Sequence, residues 1–177
     1  MNLYVVRHGE TIWNVERKVQ GITDIPLTDK GREEAKQLQE LISTLDIDVV
    51  ISSPLDRARE TAKILVDSAL PINTDDRIKE RDWGMNEGAL IDTVDTWDCW
   101  DVILNTKVQN IECIQDFMYR VSSFIEDIKI RYKDKNVLVV THSAVSRVIH
   151  YLLGTIPEDG NLSRISIPNL RIIEYKI

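Results

Sequence analysis

Cysteine is scarce. Cys99 and Cys113 are the only two in 177 residues, with no CxxC pair and no His/Cys spacing suited to a metal. Neither a disulfide framework nor a zinc site is indicated, and two free thiols in a reducing cytoplasm are expected. Seven glycines and five prolines are too few for a linker-rich chain. Positive charge is in deficit, with 22 Lys and Arg against 29 Asp and Glu and a net charge of −7. That balance argues against a general affinity for nucleic acid or an anionic membrane, so any anion site must be local. No apolar run approaches membrane-spanning length, and no basic segment followed by a long apolar stretch opens the chain. A cytoplasmic location follows as the expectation.

What is present describes an ordinary folded chain. An apolar share of 43% and a charged share of 29% suit one globular domain over residues 1–177, long enough to bury a real core. Three short β-branched runs, LYVVR (3–7), DVVISS (48–53) and NVLVVTH (136–142), predict parallel strands covered on both faces. Helical periodicity separates them. Thr28 caps a segment whose Ala35, Leu38, Leu41, Ile42 and Leu45 share a face, and Leu55, Ala58, Ala62, Leu65 and Ala69 mark the stripe of the next helix. A long amphipathic helix is carried by Ile114, Phe117, Val121, Phe124 and Ile128, and another follows His142. Alternating strands and helices predict a three-layer α/β/α sandwich around a mostly parallel sheet. The tail SRISIPNLRIIEYKI is expected to close it as an antiparallel hairpin turning at Pro168-Asn169.

In open α/β sheets ligands sit beyond the carboxyl ends of the strands. Arg7 and His8 follow the first strand, Ser52 to Arg57 the second, and His142 the run VLVVT, with Glu80 after a weaker strand near INTDDRI. Two of the three histidines thus stand at strand ends of one sheet, while His150 falls within a helix pattern and is read as structural. Gly9 would let a ligand approach the backbone closely. Arg57 and Arg59 are two residues apart on a helix, so only one can face the site, and Arg57 lies nearer the helix start, where free N–H groups favour an anion.

RHGETIWN, GITDIPLTDKG, SSPLDRARETA, ERDWGMNEG and THSAVSR, in that order, resemble the histidine phosphatase superfamily, of phosphoglycerate mutase-like fold. The resemblance implies that His8 becomes phosphorylated, that Arg7, Arg57 and His142 surround the phosphoryl group, and that Glu80 donates the proton. Asn14 and Gly21 match positions that bind phosphate, Gly21 through its backbone N–H. Ser143 departs from the pattern, which usually has glycine there. The implied activity is hydrolysis of a small phosphate ester with no metal or other cofactor. Phosphoglycerate mutase-type transfer, an α-ribazole phosphatase-like specialist and a non-catalytic phospho-ligand-binding protein are the alternatives. Mutase activity is the less expected, because residues 85–110 hold Lys107 as their only Lys or Arg.

Residues 83–110 read as an insertion beside the sheet. Asp92, Asp95, Asp98 and Asp101 recur every third residue, offset from Trp97 and Trp100, and on a helix they would form a drifting acidic face. A solvated face over packed tryptophans is the simpler reading. The functional one is a lid whose aromatics hold the organic part of the ester and whose carboxylates repel acidic substrates.

Overall fold

The structure, a computed structural model, describes residues 1–67, 69–94, 98–154 and 157–177. Five strands form one sheet in the order β3-β2-β4-β1-β5. They are β1 (Asn2–Arg7), β2 (Val49–Ser52), β3 (Ile72–Thr74), β4 (Asn136–Thr141) and β5 (Ile172–Lys176). The first four are mutually parallel, and β5 is antiparallel against β1. The helices are α1 (Ile12–Val15), α2 (Asp29–Ile42), α3 (Asp56–Leu65), α4 (Ile114–Arg131) and α5 (Ser143–Leu153).

Because side chains alternate across a strand, the sheet divides the core in two. Leu3, Val5, Ile51, Val137 and Val139 face α4 and α5, whose Phe117, Val121, Phe124, Val145 and Ile149 fill that side. Tyr4, Val6, Val50, Leu138 and Val140 face α2 and α3, against Ile42, Ala58, Ala62 and Leu65. Both faces are covered, which makes the expected sandwich. Thr28 caps α2 by accepting the Gly31 N–H at 2.9 Å. Arg7 pairs with Thr141, and Ser52 with Val140, so the strand ends that carry the candidate residues lie level with one another.

The tail departs from expectation. Only β5 is a strand, because the arm before the turn is occupied elsewhere: the Ile167 carbonyl accepts from Arg7 Nη1 at 2.8 Å, and the Leu170 N–H donates to the Arg7 carbonyl at 2.9 Å. Ala69 lies beyond the end of α3 and is exposed, and Leu41 is also exposed. The stretch 83–110 forms three separate 3₁₀ turns, Gly84–Asn86, Ile91–Thr93 and Asp98–Trp100, and no α-helix among its described residues. The aspartate repeat therefore makes no helical face. Asp92 pairs with exposed Arg17 at 2.9 Å, and Asp101 accepts the N–H groups of Ile103 and Leu104, both at 2.8 Å. Asp95 and Trp97 lie outside the described residues. Among the described residues no helix is long and apolar enough to cross a membrane.

Candidate active site

The sheet register continues past the strands and fixes the site. The His8 N–H donates to the Thr141 carbonyl at 2.8 Å and the Ser53 N–H to the Val140 carbonyl at 2.9 Å, which holds β1, β2 and β4 together one residue beyond the ladder. His8 and His142 are buried there with ring centroids 5.1 Å apart. His8 Nδ1 lies 2.8 Å from the Gly9 carbonyl, which makes it the protonated nitrogen, while Nε2 accepts from Arg57 Nε at 3.4 Å. Burial, with Arg57 and Arg7 nearby, holds the pKa of His8 well below the usual imidazole range. His142 is held low by burial, with Arg57, His8 and Arg7 adding to it, and its Nε2 is 2.7 Å from the Ser53 hydroxyl.

Gly9 meets a packing requirement as well. A Cβ there would lie 3.0 Å from the Gly31 carbonyl oxygen, so the glycine lets the loop after β1 pack backbone to backbone against α2. Its N–H donates to Thr61 Oγ1 at 3.0 Å, and Thr61 donates to the Arg57 carbonyl at 2.7 Å, which ties His8 to α3.

Of the two arginines on α3, Arg57 is fully buried and Arg59 is exposed. Arg57 donates through Nη1 to the Thr23 carbonyl at 3.0 Å and Asp24 at 3.2 Å, and through Nη2 to the Gly21 carbonyl at 2.6 Å. Gly21 thus supports the site through its carbonyl. Asp24 also accepts the backbone N–H groups of Asp56 and Arg57, capping α3, a role no sequence pattern marked. Arg7 is pushed down to about 10, chiefly by burial, with Glu80 opposing and Arg147 and Arg57 reinforcing.

Glu80 follows the 3₁₀ turn Asp76–Ile78 and is buried. Its carboxyl accepts the N–H of Arg81 at 2.9 Å and of Ala144 at 3.2 Å. Burial raises its pKa, against the opposing pull of those N–H groups, Arg57 and Arg7. Arg120 clamps this segment, donating to the carbonyls of Arg77 at 2.6 Å, Lys79 at 2.8 Å and Glu80 at 3.1 Å while its fork grips Glu112 at 2.7 and 2.9 Å. Arg81 donates to the Glu112 carbonyl and the Cys99 carbonyl, with its guanidinium 5.1 Å from both the Trp83 and Trp100 rings.

A cavity of about 290 Å³ opens over these groups, lined by Arg7, His8, Asn14, Glu80 and Ser143, with Arg57 and His142 packed behind His8. Asn14 Oδ1 accepts from Thr11 N–H at 3.1 Å and Asn169 Nδ2 at 3.2 Å, so the tail closes the floor. Lys18, Gln20, Trp83, Trp100 and Arg147 line the outer part. None of the described aspartates of residues 92–101 reaches it, whereas Trp100 does. Five buried side-chain polar atoms lack a hydrogen-bond partner among the described residues, and four of them gather here: Arg7 Nε, Gln20 Nε2, His142 Nδ1 and Arg147 Nε. Buried donors are ordinarily satisfied, so their clustering marks a place built to take an acceptor-rich group. Among the described residues no three His, Cys, Asp or Glu side chains group as metal ligands would.

Comparison with known proteins agrees with this geometry. The family model for the histidine phosphatase superfamily (branch 1) matches residues 3–177. The uncharacterized phosphatase PhoE of Bacillus subtilis is 37% identical over 159 residues, covering 86% of this chain and 75% of that protein. The probable phosphoglycerate mutase GpmB of an Enterobacter species is 34% identical over 162 residues, covering 87% and 75%. Among solved structures, Bacillus stearothermophilus YhfR superposes with a TM-score of 0.86 at 31% identity, over 99% of this chain and 91% of that one.

Proposed function

Because the chain belongs to branch 1 of the histidine phosphatase superfamily, we propose that it is a metal-independent phosphomonoesterase that hydrolyses small phosphate esters through a phosphohistidine on His8. The observation that carries this reading is the pairing, in one cavity, of an unprotonated His8 Nε2 with a buried carboxyl of raised pKa at Glu80.

Phosphoryl transfer spreads charge over three equatorial oxygens while nucleophile and leaving group stand in line, so the protein chiefly positions the group and supplies fixed positive charge. Arg7 and Arg57 supply the charge, and neutral His142 offers a hydrogen-bond donor. With the Ser53 hydroxyl donating to His142 Nε2, Nδ1 carries the ring proton toward a phosphoryl oxygen. In the first step the Nε2 lone pair of His8 forms the N–P bond, the P–O bond to the alcohol breaks, and the leaving oxygen takes the Glu80 proton. In the second, Glu80 as carboxylate takes a proton from water, whose oxygen attacks phosphorus; the N–P bond breaks and its electron pair returns to Nε2. Asn14 and Ser143, on the cavity wall, help hold the bound group.

The test is phosphate release from a panel of phosphomonoesters with a chelator present, wild type beside His8→Ala. Chelator-resistant release that is abolished in the variant is the expected result. Equal release by both would overturn the assignment of His8. Appearance of the phosphoryl group in an isomeric ester instead of inorganic phosphate would replace hydrolysis by mutase-type transfer.

A further inference from the structure

We propose that Glu87, which does not line the cavity, positions Arg57 for catalysis through the single peptide plane between Gly21 and Ile22. The proposal rests on the phosphomonoesterase reading above and adds to it a residue that acts only through another. The Gly21 carbonyl accepts from Arg57 Nη2 at 2.6 Å, and the Ile22 N–H of the same peptide group donates to Glu87 Oε1 at 2.9 Å. A trans peptide is rigid and points its carbonyl and N–H in opposite directions, so Arg57 and Glu87 grip the two edges of one plate. Moving one moves the other. Donation by the N–H to a carboxylate also polarises the amide and makes its carbonyl a stronger acceptor for the guanidinium.

The carboxylate is built into the loop. Its Oε2 accepts the Thr23 N–H at 2.8 Å, and Thr23 is the residue whose carbonyl takes Arg57 Nη1 at 3.0 Å. Its Oε1 also accepts the Trp83 N–H at 3.2 Å. Glu87 is itself anchored, because the Gly88 N–H donates to the Val19 carbonyl at 2.9 Å and the Val19 N–H to the Ala89 carbonyl at 2.8 Å. A Cβ at residue 21 would overlap the Glu87 carboxylate, so glycine there leaves the room that the carboxylate fills.

The charge of Glu87 also reaches the guanidinium. Burial lowers the Arg57 pKa, and the carboxylates of Glu80, Asp24 and Glu87 oppose the fall, which keeps ionised the group that donates to His8 Nε2. The start of the stretch 83–110 thus braces the phosphoryl end of the site. Arg57 bears on the phosphoryl group and not on the leaving alcohol, so loss of the brace should slow all esters alike, whereas loss of the proton donor should not.

The experiment measures kcat/KM for p-nitrophenyl phosphate and glycerol 3-phosphate in wild type, Glu87→Ala, Arg57→Met and the double variant. Glu87→Ala should slow both esters by a similar ~10–100-fold, the scale of a misalignment near 1 Å. With Arg57→Met already present the same change should cost less than ~3-fold, since no guanidinium is left to misplace. Gly21→Ala, which displaces the carboxylate from the other side, should reproduce the loss and add little to Glu87→Ala. Glu87→Gln, which keeps Oε1 but sets an amide N–H against that of Thr23, should fall in between. Wild-type rates in Glu87→Ala overturn the proposal, as does slowing confined to glycerol 3-phosphate. An undiminished cost in Arg57→Met overturns it too, since a general loosening of the fold gives that additivity. Should Arg57→Met be too slow to measure, the equality of the two esters and the pairing of Gly21→Ala with Glu87→Ala decide; should Glu87→Ala fold poorly, Gly21→Ala takes its place. If folded wild type hydrolyses neither ester, the phosphomonoesterase reading fails separately, and the dissociation constant of inorganic phosphate, measured by calorimetry, replaces the rate: equal affinity in wild type and Glu87→Ala would then sink the role of Glu87.

Discussion

Replacing Arg120 by methionine removes a clamp that never touches the cavity, and the consequence for the chemistry can be worked out from its bonds. The guanidinium gives two hydrogen bonds to Glu112 and one each to the carbonyls of Arg77, Lys79 and Glu80. Both side chains of the ion pair are about one-fifth exposed, at 21% and 20%, so water can reach them only in part. Breaking one side of a buried pair costs ~3–5 kcal/mol, and partial access of water lowers this to ~2–4 kcal/mol. For a chain of this length that corresponds to a melting temperature lower by roughly 5–15 °C.

The activity should change selectively. Arg120 fixes the backbone that carries Glu80, and a displacement near 1 Å can cost ~10²-fold in a step that depends on alignment. In the first step, which kcat/KM reports, only esters whose leaving alcohol needs a proton depend on that alignment. Below its melting range, Arg120→Met should slow glycerol 3-phosphate far more than p-nitrophenyl phosphate, whose leaving group departs without help. Arg120→Lys should repair little, since one ammonium cannot span three carbonyls and a carboxylate. Equal slowing of both esters would refute the reasoning, because the clamp would then be holding the whole site instead of the acid.

Two further outcomes follow from Glu80. Glu80→Gln should lose ~10²–10⁴-fold on alkyl phosphates. Burial raises the Glu80 pKa in the fold above its unfolded value, so its contribution to stability is full below the ordinary carboxyl range and is lost as pH rises through the folded value. The variant, with no proton to lose, should therefore gain in melting temperature relative to wild type as pH increases; parallel curves would show that Glu80 ionises without penalty. The same shift sets the rate profile: His8 and His142 are held neutral far below their usual range, so the alkaline fall of kcat for alkyl phosphates belongs to deprotonation of Glu80. An alkaline limb that survives in Glu80→Gln would assign it to another group.

The parts of the site legible in the sequence are those whose chemistry depends on residue type at a strand end. His8, Arg7 and His142 follow β-branched runs, and the register that levels those ends is a property of parallel pairing itself. What escaped acts through the backbone. Arg120 and Arg81 spend their donors on carbonyls, and a carbonyl leaves no mark in a sequence. The tail failed as a hairpin for the same reason: its alternation is that of a strand, but the Ile167 carbonyl is taken by Arg7 and Asn169 donates to the carbonyls of His8 and Gly9. Arg147 also went unmarked: its guanidinium is stacked on the Trp100 ring, with Nε buried and unpartnered among the described residues. In a chain of net charge −7, half-buried Arg7 and Arg147 line one cavity, while fully buried Arg57 behind His8 is held by the carbonyls of Thr23 and Gly21 and by Asp24. Among the described residues, the buried polar atoms left without partners at this cavity are on Arg7, Gln20, His142 and Arg147, where an acceptor-rich phosphate ester would satisfy them.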